Sequence, residues 1–205
     1  MMIEESLLNE YHATLLQVKK GEMLFQEGEQ ALNFFIVKTG RIKMVNVSSE
    51  GREFVQGYFG PGQSFGEPPF FSRVAYPASA YAVEPSSVWK IGYDAFMMML
   101  RNNFDVHSRL LKVLSDRLIY KSTMLSEIAV EEAEHRLTTL IGYLIENGAA
   151  SPPGETKLSF TRQQLADMTG LRVETVIRSI KSMEQKHLLE ISPDGKIVWK
   201  RMPRP

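Results

Sequence analysis

The sequence contains no cysteine. That excludes disulfides, iron–sulfur ligation by thiolates and any thiol switch. No apolar run approaches the ~18 residues of a membrane span. The first twelve residues, MMIEESLLNEYH, are acidic and lack the basic-then-apolar layout of a signal peptide. A cytoplasmic protein with no membrane contact is the expectation. Catalytic signatures are also missing: there is no Gly-rich P-loop, no His-Glu-x-x-His and no nucleophile elbow. Glu67 is a lone carboxylate without a partner acid, so no enzyme is expected. Net charge of one sign is absent too, with 24 basic and 24 acidic residues among 205. The distribution is uneven. From Phe160 to Pro205 nine Lys and Arg stand against five Asp and Glu, a net +4 on a body of net −4. A basic end on an acidic body points toward nucleic acid.

Residues 14–92 read as short strands with frequent turns, spaced as in a sandwich or barrel. Met23 to Phe25 lies between Gly21 and Gly28. In NFFIVKTGRIKMVNV, Thr39-Gly40 turns between two apolar runs, giving a hairpin or a jelly-roll corner. REFVQGYF is a further strand, and ASAYAVEPSSVWKIG holds two more around Glu84-Pro85-Ser86. Helix then takes over. DAFMMMLRNN has helical spacing with Asp94 available as a cap, and its methionine triplet reads as packing. Phe104 to Ala129 has neither Gly nor Pro, and Leu111, Leu114, Leu118, Leu125 and Ile128 form an a/d seam with Lys121 in the remaining position. A parallel homodimer would cover that seam; the alternative is a helix packed on its own sheet. A second helix carries Leu137, Leu140, Ile141, Leu144 and Ile145 and stops at Asn147-Gly148. Two domains are expected, 1–130 and 131–205, with the long helix at about 104–129.

LSFTRQQLADMTGLRVETVIRSIKSMEQKHLLEI is the most specific stretch. Thr161 and Gln164 make a capping box, and Thr169-Gly170-Leu171 makes a tight turn. A second helix from Arg172 or Val173 turns Val176, Ile180 and Met183 inward. It leaves Arg172, Glu174, Thr175, Arg178 and Lys181 outside. This is a helix-turn-helix, followed by a hairpin wing over Leu188–Ile191 and Lys196–Trp199. Arg can fork onto guanine, Glu can accept from cytosine, and Thr175 and Lys181 can take phosphates. The bland alternative is an αα-hairpin with a solvated charged face.

The chain resembles the CRP/FNR superfamily of bacterial transcription regulators over nearly its whole length. NFFIVKTGRIKM is similar to that family's hairpin, GPGQSFGE to its entry into the effector pocket, and TRQQLADMTGLRVETVIRSIKSME to its winged helix-turn-helix. The resemblance implies an α+β chain with an N-terminal β-roll (a double-stranded jelly roll), a long dimerisation helix and a C-terminal winged helix-turn-helix. It implies homodimers on palindromic double-stranded DNA. By the same resemblance, Glu174 and Arg178 match base-reading residues. Val173 replaces a guanine-reading Arg of the catabolite activator branch, so VET sits closer to the branch that prefers TTGA-like half-sites. Ile177 replaces a Ser and offers an apolar contact. Thr161, Arg162 and Gln163 open the first helix on the DNA side.

In cyclic-nucleotide-binding members a Gly-Glu pair is followed by an Arg-Ser pair. Gly66 and Glu67 match the first; Pro77 and Ala78, before Ser79, hold the positions of the second. A buried phosphate without its cation is costly, so an effector other than cAMP is expected. Arg73 on a shifted loop is the substitute cation to consider. Pro68-Pro69 after Glu67 would stiffen that loop. On the long helix Lys121-Ser122 stands where the family has an adenine-contacting pair. Lys121 would meet an anionic effector or Glu67, or else snorkel to solvent. Haem would require His12 or His107, since His135 and His187 lie toward the DNA-binding half; neither haem nor an iron–sulfur cluster is expected. The loop Asn147 to Lys157 would face RNA polymerase by family analogy. The other readings are a regulator that binds DNA constitutively, without small-molecule control, and a ligand-binding signalling module acting through protein contacts.

Overall fold

The computed structural model describes residues 3–51, 53–130, 132–147 and 157–200. In chain order the elements are α1 (Glu5–Glu10), β1 (Thr14–Val18), β2 (Met23–Phe25), β3 (Asn33–Thr39), β4 (Ile42–Val47), β5 (Glu53–Phe59), β6 (Ser64–Phe65), α2 (Glu67–Ser72), β7 (Ser79–Ala82), β8 (Ser86–Gly92), α3 (Tyr93–Asn102), α4 (Phe104–Val130), α5 (Ala133–Glu146), β9 (Lys157–Leu158), α6 (Arg162–Thr169), α7 (Val173–Gln185), β10 (Leu189–Ile191) and β11 (Ile197–Trp199). The chain divides into two compact units, Met1–Ser115 and Asp116–Pro205. The division falls inside α4, before the boundary near Val130 that the sequence suggests.

The first unit is a roll of two four-stranded antiparallel sheets, ordered β1-β8-β3-β6 and β2-β7-β4-β5. Thr39-Gly40 is therefore a corner and not a hairpin turn. β3 pairs with β8 and β6, while β4 pairs with β5 and β7. Gly40 has φ +81, and a Cβ there would fall 2.2 Å from the Ser86 hydroxyl oxygen. Only glycine fits that crossing.

Aromatic rings fill the core between the sheets. Phe34 stacks on Phe96 of α3 at 3.9 Å, and Phe70 of α2 meets both edge-on. Burying such rings contributes roughly 1.5–3 kcal/mol each, and these contacts hold α3 on the roll. Helix α3 begins at Tyr93 after the N-cap Gly92, so Asp94 sits in the first turn and is not the cap. There its carboxylate still favours the positive end of the helix dipole. In the methionine triplet Met99 is buried and Met98 exposed. Val106, Leu110 and Leu114 carry the start of α4 onto the same core.

The second unit packs α5 against α6 and α7. Leu137, Leu140, Ile141 and Leu144 form the buried face of α5. A three-stranded sheet, β10-β11-β9, flanks them. Its third strand, Lys157–Leu158, lies where the sequence reads as loop. It registers against Val198 and Ile197 of β11. No helix among the described residues is long and apolar enough to cross a membrane.

Candidate nucleic-acid interface and effector site

Helix α6 starts at a complete capping box. The Thr161 hydroxyl accepts from the Gln164 backbone N–H at 3.1 Å, and the Gln164 side chain accepts from the Thr161 N–H at 2.8 Å. Such caps are worth about 1 kcal/mol. The helix ends at Gly170, whose φ of +69 is the left-handed conformation that glycine adopts without a Cβ penalty. Thr169 is buried, and its hydroxyl donates to the Leu165 carbonyl at 2.7 Å. Leu165, Ala166 and Met168 face inward.

Helix α7 shows the opposite face. Val176, Ser179, Ile180 and Met183 are buried. Glu174, Ile177, Arg178 and Lys181 are exposed, with Arg172 exposed just before the helix. Ile177, at 40% exposure, is an apolar side chain set between Glu174 and Arg178 on a polar face. Thr175 and Val173 are half-buried; Thr175 lies on the shoulder of the helix, beside Val176 and off the Glu174–Arg178 stripe. On α6, Gln163 is exposed and donates to Asp167 at 2.7 Å. Arg162 is half-buried, and loss of hydration pushes its guanidinium below its usual range while Glu184 opposes the shift.

The wing turns at Pro193-Asp194-Gly195, with Gly195 at φ +78. Asp194 pins it: the Ser192 hydroxyl donates to one carboxylate oxygen, and Lys157 and Lys196 lie 3.1 and 3.6 Å from the other. The Ser192 hydrogen bond, then Lys157, pull the Asp194 pKa down to about 2. Three parts of the sequence thus present amides, hydroxyls and cations on one unit. This chemistry suits phosphates and base edges.

The roll interior is arranged differently. Glu67 opens α2, and its side chain is buried, with 2% of the residue exposed. Its Oε1 accepts from the buried Ser64 hydroxyl. Pro68 and Pro69 lie in the first turn of α2, so the stretch after Glu67 is a short helix and not a loop. Proline is tolerated there because first-turn N–H groups have no helical partner. Gly66 is left-handed at φ +75, and a Cβ on it would come within 3.3 Å of Tyr76 and 3.4 Å of Phe25. Those two rings stack at 3.7 Å, beside Phe35 and Phe65. The Tyr76 hydroxyl donates to the Asn33 carbonyl at 3.2 Å, and burial pushes its pKa up to about 12.

Pro77 and Ala78 bring no charge to the second pair's positions. The Pro77 carbonyl accepts from Asn46 Nδ2 at 2.5 Å, and Gln56 Nε2 donates to Asn46 Oδ1 at 2.7 Å. Ala78 is fully buried. The Ser79 hydroxyl accepts from the Glu27 N–H at 2.9 Å. Arg73 caps α2 in the left-handed conformation and lays its guanidinium over Tyr93, 4.2 Å from the ring centroid. It is held on α3, where cation–π attraction accounts for its place. Ser64, Tyr76, Asn46 and Gln56 were not legible as site residues. Only the Ser-x-x-Glu spacing from Ser64 to Glu67 was a local signal.

On α4 the predicted seam splits. Leu111, Leu118, Leu125 and Ile128 are exposed, Leu118 and Leu125 at 69 and 71%. Leu114 is half-buried and packs on the roll's core, so it leaves the seam. The start of the helix packs on the roll's core through Val106, Leu110 and Leu114, while Leu111, Leu118, Leu125 and Ile128 form an exposed apolar face. Lys121 and Ser122 are exposed. Desolvation, then repulsion from Arg117, push the Lys121 pKa below its usual value although its surface is largely accessible. His12 and His187 occupy left-handed positions after α1 and α7. His107 is exposed and packs edge-on to Phe104. Among the described residues no group of three or more His, Asp or Glu could hold a metal ion. Most of the Asn147–Lys157 loop lies outside the described residues.

Comparison with known proteins points the same way in both units. Residues 15–103 match the family described as Cyclic nucleotide-binding domain, and residues 135–204 that described as Crp-like helix-turn-helix domain. The chain is 27% identical over 190 residues to the cAMP-activated global transcriptional regulator CRP of Pasteurella multocida, covering 91% of this chain and 90% of that protein. It is 25% identical over 176 residues to the fumarate and nitrate reduction regulatory protein of Yersinia pestis, covering 85 and 70%. The solved structure of FixK2 from Bradyrhizobium japonicum shares its fold, with a TM-score of 0.75 at 22% identity over 92% of this chain and 93% of that one.

Proposed function

Since the chain belongs to the CRP/FNR family of transcription regulators, and is no enzyme, we propose that it acts in the cytoplasm as a homodimer on palindromic DNA. Two copies pair through Leu111, Leu118, Leu125 and Ile128, and each places α7 in a major groove. Glu174 and Arg178 read base edges, Ile177 meets a thymine methyl, and Arg172 and Lys181 take phosphates. Half-sites of the TTGA type fit this set. Thr161, Arg162 and Gln163 approach the backbone from α6. RNA polymerase is the partner implied by the family. The observation that carries this reading is the exposed Glu174-Ile177-Arg178-Lys181 stripe on a helix otherwise buried in a winged unit.

The effector is not cAMP. Glu67 is buried and bonded to Ser64, Pro77 and Ala78 offer no cation, and Arg73 is engaged on Tyr93. A phosphate placed there would lose its hydration without an opposing charge. The Phe25–Tyr76 stack against Gly66 also favours the second reading, constitutive DNA binding without small-molecule control.

Fluorescence anisotropy on a palindromic TTGA-type duplex, with and without cAMP, against random DNA and across salt, tests all three statements. Expected are specific binding without ligand, no response to cAMP and a steep fall with salt. Binding only with cAMP would overturn the effector reading. Equal affinity for random DNA would overturn the recognition-helix reading.

A further inference from the structure

Within the second unit, the C-terminal half of α4 meets α5 in a polar cluster that DNA contact does not use. Glu127 of α4 is buried, with 6% of the residue exposed. Its Oε1 accepts from the Thr139 hydroxyl at 2.5 Å and lies 3.3 Å from Nδ1 of His135. The other oxygen, Oε2, is buried with no hydrogen-bond partner among the described residues. Thr139 and His135 stand one helical turn apart on α5, so one carboxylate spans a turn of the facing helix. Tyr120 of α4 stacks on Tyr143 of α5 at 3.6 Å. At the end of α4, Arg136 of α5 donates through Nη2 to the Ile128 carbonyl at 2.9 Å. α5 packs in turn on α6 and α7.

A buried carboxylate with a bare oxygen is a poor way to gain stability. A well-packed apolar pair would serve cohesion better. What the carboxylate supplies is a fixed register and angle between two helices, because its hydrogen bonds are directional and apolar contact is not. We propose that Glu127 is a positioning residue. By hooking Thr139 and His135 it fixes α7 relative to the C-terminal half of α4, and so sets the half-site spacing that the dimer accepts. The inference rests on the dimer-on-palindrome reading above.

The test uses the full-length protein and fluorescent duplexes. These carry the palindrome at the spacing best bound by the wild type, the same half-sites moved one and two base pairs closer or farther, and a single half-site. Glu127→Ala and Thr139→Val should flatten the spacing preference by about tenfold. Single half-site affinity should stay within about twofold. Glu127→Gln should retain the preference, because its amide oxygen still accepts from Thr139. If Glu127→Ala fails to fold by circular dichroism, Thr139→Val, which removes only the hydroxyl, carries the test. Unchanged spacing preference in the folded variants overturns the positioning role alone. A wild type that does not distinguish the palindrome from random DNA overturns the DNA-binding reading, and the positioning role with it.

Discussion

The roll interior and the outer face of α7 handle polar groups in opposite ways. In the roll, Glu67 is turned inward and bonded to Ser64, the Tyr76 hydroxyl is spent on a backbone carbonyl, and Asn46 is held between Gln56 and Pro77. On α7, Glu174, Arg178 and Lys181 stand in solvent above an underside of Val176, Ser179, Ile180 and Met183. Burial satisfied internally makes a site rigid and expensive to open. Exposure leaves donors and acceptors available, and a partner then has to supply only their complement. The difference lies in what is left open to a partner: the α7 stripe is exposed, while Glu67, Tyr76 and Asn46 are bonded to neighbours within the roll.

The sharpest break would come on the exposed apolar face of α4. Leu118→Asp places a charge on the proposed seam and should weaken the dimer by about 3–5 kcal/mol, the cost of an uncompensated buried charge. Sedimentation reads this directly, and an unchanged dimer would remove the seam. On the open side, Arg178→Ala should lose about 1–3 kcal/mol on specific DNA and far less on random DNA. On the closed side, Gly66→Ala forces a side chain into left-handed backbone against Tyr76 and Phe25. A loss of about 1–2 kcal/mol in unfolding free energy is expected, with specific DNA affinity unmoved; a stable variant would mean the interior has slack. The smallest effect concerns Tyr76. Its folded pKa of about 12 lies above the ordinary 10, so the stability it contributes is complete below pH 10 and is lost as pH rises from 10 to about 12. Ultraviolet titration should show one tyrosine ionising near pH 12, and Tyr76→Phe should delete that step.

Much of α6 and α7 was legible because its signals are local. Thr161 with Gln164, Gly170 and the spacing of Val176, Ile180 and Met183 all act within a turn or two. The exposed stripe followed, apart from Thr175, which is half-buried beside Val176. The roll was harder. Thr39-Gly40 reads alike in a hairpin and in a corner, and only partners far along the chain assign β3 and β4 to different sheets. Pro68-Pro69 reads as a break unless the helix begins at Glu67 itself. Leu114 fits a heptad by number, yet the roll's core claims it. The place of Arg73 on Tyr93 depends on tertiary contact alone, as do the bonds of Asn46 and Gln56.

The two-residue strand β9 has a consequence for how the chain is made. Leu158 pairs with Ile197, so the strand before α6 and a strand of the wing are laid edge to edge across the two helices between them. Helices α6 and α7 can form from local contacts as they leave the ribosome, but this ladder cannot close until β11 has emerged as well. Long-range pairing of this kind is slow relative to helix formation. During synthesis the wing therefore assembles after both helices, and α7 is made before the sheet that braces it.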